Sequence, residues 1–179
     1  MSGIDETADF IPVRIAVLTI TDTRTFETDT SGALLVEKLQ QAGHHLANRQ
    51  IAKDDVTAIR DVIKQWSEDS AVDCIITTGG TGLTGRDVTP EAIEPLCQKS
   101  IDGFSVLFHQ VSAKKIGTST LQSRAFAGIT NGTLVFCLPG STGACADGWD
   151  GILRWQLDSR HRPCNFVSIL PRLLEHRST

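Results

Sequence analysis

The run Cys74-Ile75-Ile76-Thr77-Thr78-Gly79-Gly80-Thr81-Gly82 constrains the fold most. An unbroken apolar run that turns to threonine and then to glycine reads as a buried strand emptying into a loop with almost no side chains. Strands buried on both faces belong to parallel sheets covered by helices on either side. Two other segments have this character. Arg14 to Ile20 is nearly all apolar, and Thr133 to Leu138 ends in Pro139-Gly140-Ser141-Thr142. Leu46 to Ile51 is a weaker strand.

Helical stretches fall between them. Ala33, Leu34, Leu35, Leu39 and Ala42 form a stripe that Gly43 ends. Ile59, Val62, Ile63 and Trp66 form a second, with Asp55 suited to its N-cap. Thr89-Pro90-Glu91 opens a third, with Thr89 expected as cap. Phe104, Leu107, Phe108 and Val111 mark a fourth, and Cys145, Trp149, Ile152 and Leu153 the inward face of a fifth. Gly117 to Arg124 is polar and expected to be a loop. Strand–helix alternation implies an α/β fold with a mostly parallel sheet between two helical layers. The 179 residues make one domain, expected at 13–179 with a tail from about 157, after a flexible segment 1–12.

Several function classes are disfavoured. The formal net charge of −4 gives no field for nucleic acid. No stretch approaches the ~20 apolar residues of a membrane span. The acidic start has no basic or apolar signal region, so a cytoplasmic setting is expected. Five cysteines without a C-x-x-C spacing make neither a disulfide framework nor a zinc site, and Cys74 and Cys137 read as buried, inert thiols. His44-His45 reads as solvent-facing. Asn131-Gly132 reads as a hairpin-type turn.

Ligands of open parallel sheets sit at the carboxyl ends of the strands. Four polar segments follow the strands here: Thr21-Asp22-Thr23-Arg24, Lys53-Asp54-Asp55, Thr78-Gly79-Gly80-Thr81-Gly82 and Pro139-Gly140-Ser141-Thr142. The glycine loop matches neither the dinucleotide fingerprint nor the P-loop. Its bare amides still suit phosphate. Asp87 follows it closely, and Mg²⁺ prefers one or two carboxylates with phosphate oxygens. Asp87 as a turn residue, Asp54 as a partner in capping and Ser141 as a plain N-cap are the competing structural roles.

Taken together, Thr77 to Gly82, Arg86-Asp87-Val88-Thr89-Pro90-Glu91, Gly117-Thr118-Ser119-Thr120-Leu121-Gln122-Ser123-Arg124 and Leu138-Pro139-Gly140-Ser141 resemble the MoaB/MogA family of molybdenum cofactor biosynthesis proteins. The Gly117–Arg124 segment and the Arg162-Pro163-Cys164-Asn165 tail resemble its MoaB branch. The resemblance implies a three-layer α/β/α molybdopterin-binding fold that assembles as a homotrimer or homohexamer. It also implies Mg-dependent transfer of AMP from ATP to the terminal phosphate of molybdopterin, releasing pyrophosphate. On it, Asp54 and Asp87 are the catalytic acids that organise Mg²⁺ and the ATP phosphates. Gly79, Gly80, Thr81 and Gly82 cradle phosphate, and Asp22 lines the same pocket. Ser123, Pro139, Gly140 and Ser141 hold the pterin. Two other readings remain open: a non-catalytic molybdopterin carrier of the same pathway, and a structural oligomer whose glycine loop binds no nucleotide.

Overall fold

The structure, a computed structural model, describes residues 3–177. Its centre is a six-stranded sheet in the order β3-β2-β4-β7-β6-β5. The strands are β2 (Arg14–Ile20), β3 (His45–Ala52), β4 (Cys74–Thr78), β5 (Lys99–Ser100), β6 (Phe126–Thr130) and β7 (Thr133–Leu138). β3, β2, β4 and β7 run parallel; β6 is antiparallel to β7, and β5 to β6. The mixed character comes from the β6–β7 hairpin. Its turn places Asn131 and Gly132 at positive φ, as a two-residue hairpin requires.

Within this sheet, β6 and β5 are the strands missed from sequence. Phe126-Ala127-Gly128-Ile129-Thr130 has a glycine at its centre, which weakens a strand pattern. Here Gly128 serves close approach: a Cβ on it would lie 2.5 Å from the Cys97 Sγ.

Alternate residues of the central strands feed two cores, as the period of two dictates. Ile15, Val17, Cys74, Ile76, Leu134 and Phe136 meet α1 (Thr30–Gln41), α4 (Asp102–Ile116) and α5 (Thr142–Gly148). Ala16, Leu18, Ile75, Val135 and Cys137 meet α2 (Val56–Glu68) and α3 (Thr89–Ile93). This is the expected three-layer α/β/α sandwich. A π-helical turn at Trp149–Leu153 continues α5 into the short α6 (Arg154–Gln156). Burial lifts the Cys74 and Cys137 thiols above their ordinary range, so both are inert at neutral pH.

Within the segment expected to be flexible, β1 (Gly3–Ile4) pairs antiparallel with β8 (His161–Arg162), and Ile11 N–H donates to Ser159 Oγ at 2.8 Å. Met1 and Ser2 of that segment lie outside the described residues. Two local expectations need correction. Gly117–Gln122 is 3₁₀-helical and continues α4 rather than forming a loop. His44 is buried, because the helix-ending turn at Gly43 folds it under Phe10 and against Trp149, and its Nδ1 accepts a hydrogen bond from Val13 N–H at 3.2 Å. Burial lowers its pKa to about 4, against the opposing pull of Asp158.

Candidate functional site

The register sets the site. Ile20 pairs with Ala52, Thr19 with Thr78, and Thr78 with Leu138, so four parallel strands end at one level. The chain reverses strand order here: β2 leads through α1 to β3 on one side, and β3 leads through α2 to β4 on the other. Loops at such a switch point diverge and leave a crevice. A cleft of about 360 Å³ opens there, lined by Thr21, Arg24, Asp29, Ser31, Asp54, Thr78, Gly79, Gly80, Thr81, Gly82, Asp87, Gln122, Ser123, Pro139 and Gly140, with Thr19 and Ile20 at its base.

The glycine loop has the shape its composition predicts. Gly79 and Gly80 have φ of +106° and +64°. A Cβ on Gly79 would lie 2.1 Å from the Ile20 carbonyl oxygen, so no other residue fits there without moving the β2 backbone. Thr89 anchors the loop from below, its hydroxyl donating to the Gly79 carbonyl at 2.8 Å and its N–H to the Gly80 carbonyl at 3.0 Å. This corrects the expectation that Thr89 caps α3. Val88 holds the N-cap position with no side-chain hydrogen bond, and the threonine hydroxyl is taken by the loop.

Both acids stand against this loop. Asp54 Oδ1 is 3.1 Å from where a Cβ on Gly80 would sit, and Asp87 Oδ2 is 2.7 Å from the same point on Gly82. Capping of α2 falls to Asp55 alone, which accepts from Ala58 N–H at 2.8 Å. Among the described residues the Asp54 carboxylate accepts no hydrogen bond and enters no ion pair. Burial raises its pKa, helped by Asp22 and Asp87 and opposed by Arg86. Asp87 is both turn residue and cleft wall. Burial pushes its carboxyl up, but the Thr84 N–H and hydroxyl, at 2.9 and 2.6 Å, outweigh this and hold it below the usual range.

Asp22 sits at the rim rather than on the cleft wall. Arg86 donates to its Oδ2 through both Nε, at 2.9 Å, and Nη2, at 2.6 Å, and its Oδ1 accepts from Asp54 N–H at 3.3 Å. Ser123, Pro139 and Gly140 also line the cleft, and Gly140 lies against the glycine loop: a Cβ on it would sit 3.3 Å from Gly79 Cα. Ser141 does not reach the cleft; its hydroxyl accepts from Ala144 N–H at 3.1 Å and caps α5.

Asp29, Arg24 and Gln122 also line the cleft and were not singled out from sequence. Asp29 caps α1 by accepting from Gly32 N–H at 2.9 Å. It also accepts from Thr19 Oγ1 at 2.7 Å and pairs with Arg49 at 3.0 Å. The signal for it was Gly32 three residues on, where a Cβ would lie 2.2 Å from the Asp29 carboxylate. With Asp29 neutralised by Arg49, the wall offers two unpaired acids, Asp54 and Asp87, and one cation, Arg24, among its described residues. Such a wall repels a bare polyphosphate. It fits one that arrives with a divalent cation, and a pair of carboxylates completed by phosphate oxygens is a magnesium donor set. The described residues hold no cluster of three or more His, Cys, Asp or Glu that would bind a metal unaided.

Residues 16–159 match the family described as "Probable molybdopterin binding domain". The chain is 49% identical over 158 residues, 88% of its length and 93% of the relative's, to Molybdenum cofactor biosynthesis protein B of Escherichia coli K12. A crystal structure of a Molybdenum cofactor biosynthesis protein B superposes with a TM-score of 0.82 at 39% identity, covering 93% of this chain and 98% of that one. The tungsten cofactor synthesizing protein MoaB from Pyrococcus furiosus superposes with a TM-score of 0.67 at 32% identity, covering 92% and 96%.

Proposed function

The chain belongs to the MoaB/MogA family of molybdopterin-binding-domain proteins, and from that premise we propose that its cleft transfers AMP from ATP to the terminal phosphate of molybdopterin. Relatives named for molybdenum cofactor biosynthesis support a role in that pathway. The observation that carries the finer reading is the convergence of Asp54 and Asp87 on the glycine loop, at Gly80 and Gly82.

Each part of the cleft has a task in that reaction. The N–H groups of Gly80, Thr81 and Gly82 bind the ATP phosphates, since they supply donors without the bulk of side chains, whereas that of Gly79 is taken by the Leu138 carbonyl at 3.0 Å. Asp54 and Asp87 would hold Mg²⁺, which when bound screens the charge of the two reacting phosphates. Ser123, Pro139 and Gly140 line the same cleft and seat the pterin so that its phosphate approaches the α-phosphorus. A phosphate oxygen of molybdopterin attacks that phosphorus, the bond to the α–β bridging oxygen breaks, and its electron pair leaves with pyrophosphate. A phosphate monoester is largely dianionic at pH 7, so the attacking oxygen needs no base. No histidine lines the cleft among the described residues, which fits a reaction run by alignment and charge alone.

Incubation with ATP, Mg²⁺ and molybdopterin tests this directly. The expected result is one pyrophosphate for each adenylyl-molybdopterin formed. Pterin binding without pyrophosphate would leave a carrier protein, and binding of neither ligand would leave a structural oligomer.

A further inference from the structure

Arg124 is not among the residues lining the cleft, yet it makes three hydrogen bonds to the backbone of the glycine loop and of Asp87. Its own N–H donates to the Thr81 carbonyl at 2.8 Å. Its guanidinium donates through Nε to the Gly82 carbonyl and through Nη2 to the Asp87 carbonyl, both at 2.9 Å, and through Nη1 to Glu91 Oε1 at 2.5 Å. A planar fork with fixed N–H directions suits this arrangement, in which two backbone carbonyls and a carboxylate are engaged at once. The side chain is about one-third exposed, so the donors are only partly in competition with water.

The consequence lies in the direction of the peptides. With the carbonyls of residues 81, 82 and 87 turned to Arg124, the loop carries a fixed orientation on either side of Asp87. Thr89 fixes the carbonyls of residues 79 and 80 in the same way from beneath. Arg124 also directly follows Gln122 and Ser123, which line the cleft too. One residue thus ties this segment to the glycine loop.

We propose that Arg124 is a positioning residue that holds the anion loop and Asp87 in their binding geometry and couples them to the Gln122–Ser123 wall. This rests on the reading of the cleft as a nucleotide site, and the test separates the two. Arg124→Lys keeps the charge but replaces the fork with a point donor. Glu91→Gln removes the outer ion pair and leaves the contacts to Gly82 and Asp87 in place.

The first readout is amide hydrogen exchange of the unliganded protein. Arg124→Lys is expected to speed exchange of the hydrogen-bonded amides within residues 79–88, those of Gly79, Thr84 and Asp87, by about tenfold or more, with the β2, β4 and β7 amides unchanged. The second is affinity for Mg-ATP by calorimetry, expected to fall about tenfold in Arg124→Lys and to stay near wild type in Glu91→Gln. Exchange in 79–88 that matches wild type overturns the proposal. So does exchange that rises uniformly across the sheet, which would make Arg124 a stability residue. Faster loop exchange with undiminished Mg-ATP affinity overturns its link to the site. A wild-type chain that binds no Mg-ATP removes the nucleotide reading instead, and the exchange result then decides the positioning role alone.

Discussion

Asp54 and Asp87 are the same residue type beside the same loop, yet their environments differ. Asp54 lies half-buried with Asp22 and Asp87 near it and no donor bonded to its carboxylate, so its charged form is disfavoured in the folded chain. A carboxyl whose pKa is raised on folding costs stability once the pH exceeds its unfolded value. Asp54→Asn is therefore expected to match or exceed wild-type stability at pH 7 while lowering adenylyl transfer about 100-fold or more. Asp87→Asn is expected to lose similar activity but also about 1 kcal/mol of stability, through weaker bonds to Thr84. Urea midpoints beside pyrophosphate release rates check both. A marked destabilisation in Asp54→Asn would point to a structural role for that acid. Sequence order sufficed to nominate these two, because each directly follows a strand end or a glycine loop. It could not show that Ser141 turns away into its own helix or that Asp29 turns in. A capping residue and a cleft residue have the same signature until the helix axis is known.

At the scale of elements, the central strands and long helices were legible because their apolar periods are strong. β5 and β6 were not, because one has two residues and the other is interrupted by Gly128. The start of α3 was misread because Thr89 hydrogen-bonds to a distant loop, a tertiary choice that local cap rules do not contain. His44 shows the same limit. Directly after the α1 terminus its position resembles surface, but Phe10 from the N-terminal segment and Trp149 after α5 close over it. That junction makes stability depend on pH. A histidine whose folded pKa is depressed, here from 6.5 to about 4, favours the fold fully above pH 6.5, and the benefit is lost as the pH falls towards 4. Between pH 7 and pH 5 the wild type is expected to lose about 2 kcal/mol at this site. His44→Asn, which has no group titrating there, is expected to show a correspondingly smaller loss in urea melts at the two pH values. Equal losses would mean that His44 is not the titrating group.

At the scale of the whole molecule, the site is a product of topology. Four strands run the same way, end in register and change order between β2 and β4, so segments far apart in sequence open onto one cleft. Among the described residues no helix is long and apolar enough to cross a membrane. The parallel sheet could be anticipated from the near-continuous apolar runs, and with it the edge at which ligands gather. The switch point could not, because strand order is set by which faces of the helices pack, and no single segment records that. The claim on which all else depends is that this edge binds a metal-bound nucleotide by its phosphates. The most direct measurement is a crystal structure of the protein with Mg²⁺ and a non-hydrolysable ATP analogue. The expected result is phosphate oxygens against the amides of Gly80, Thr81 and Gly82 and the metal between Asp54 and Asp87. A nucleotide seated elsewhere, or a cleft left empty at saturating analogue, would contradict it.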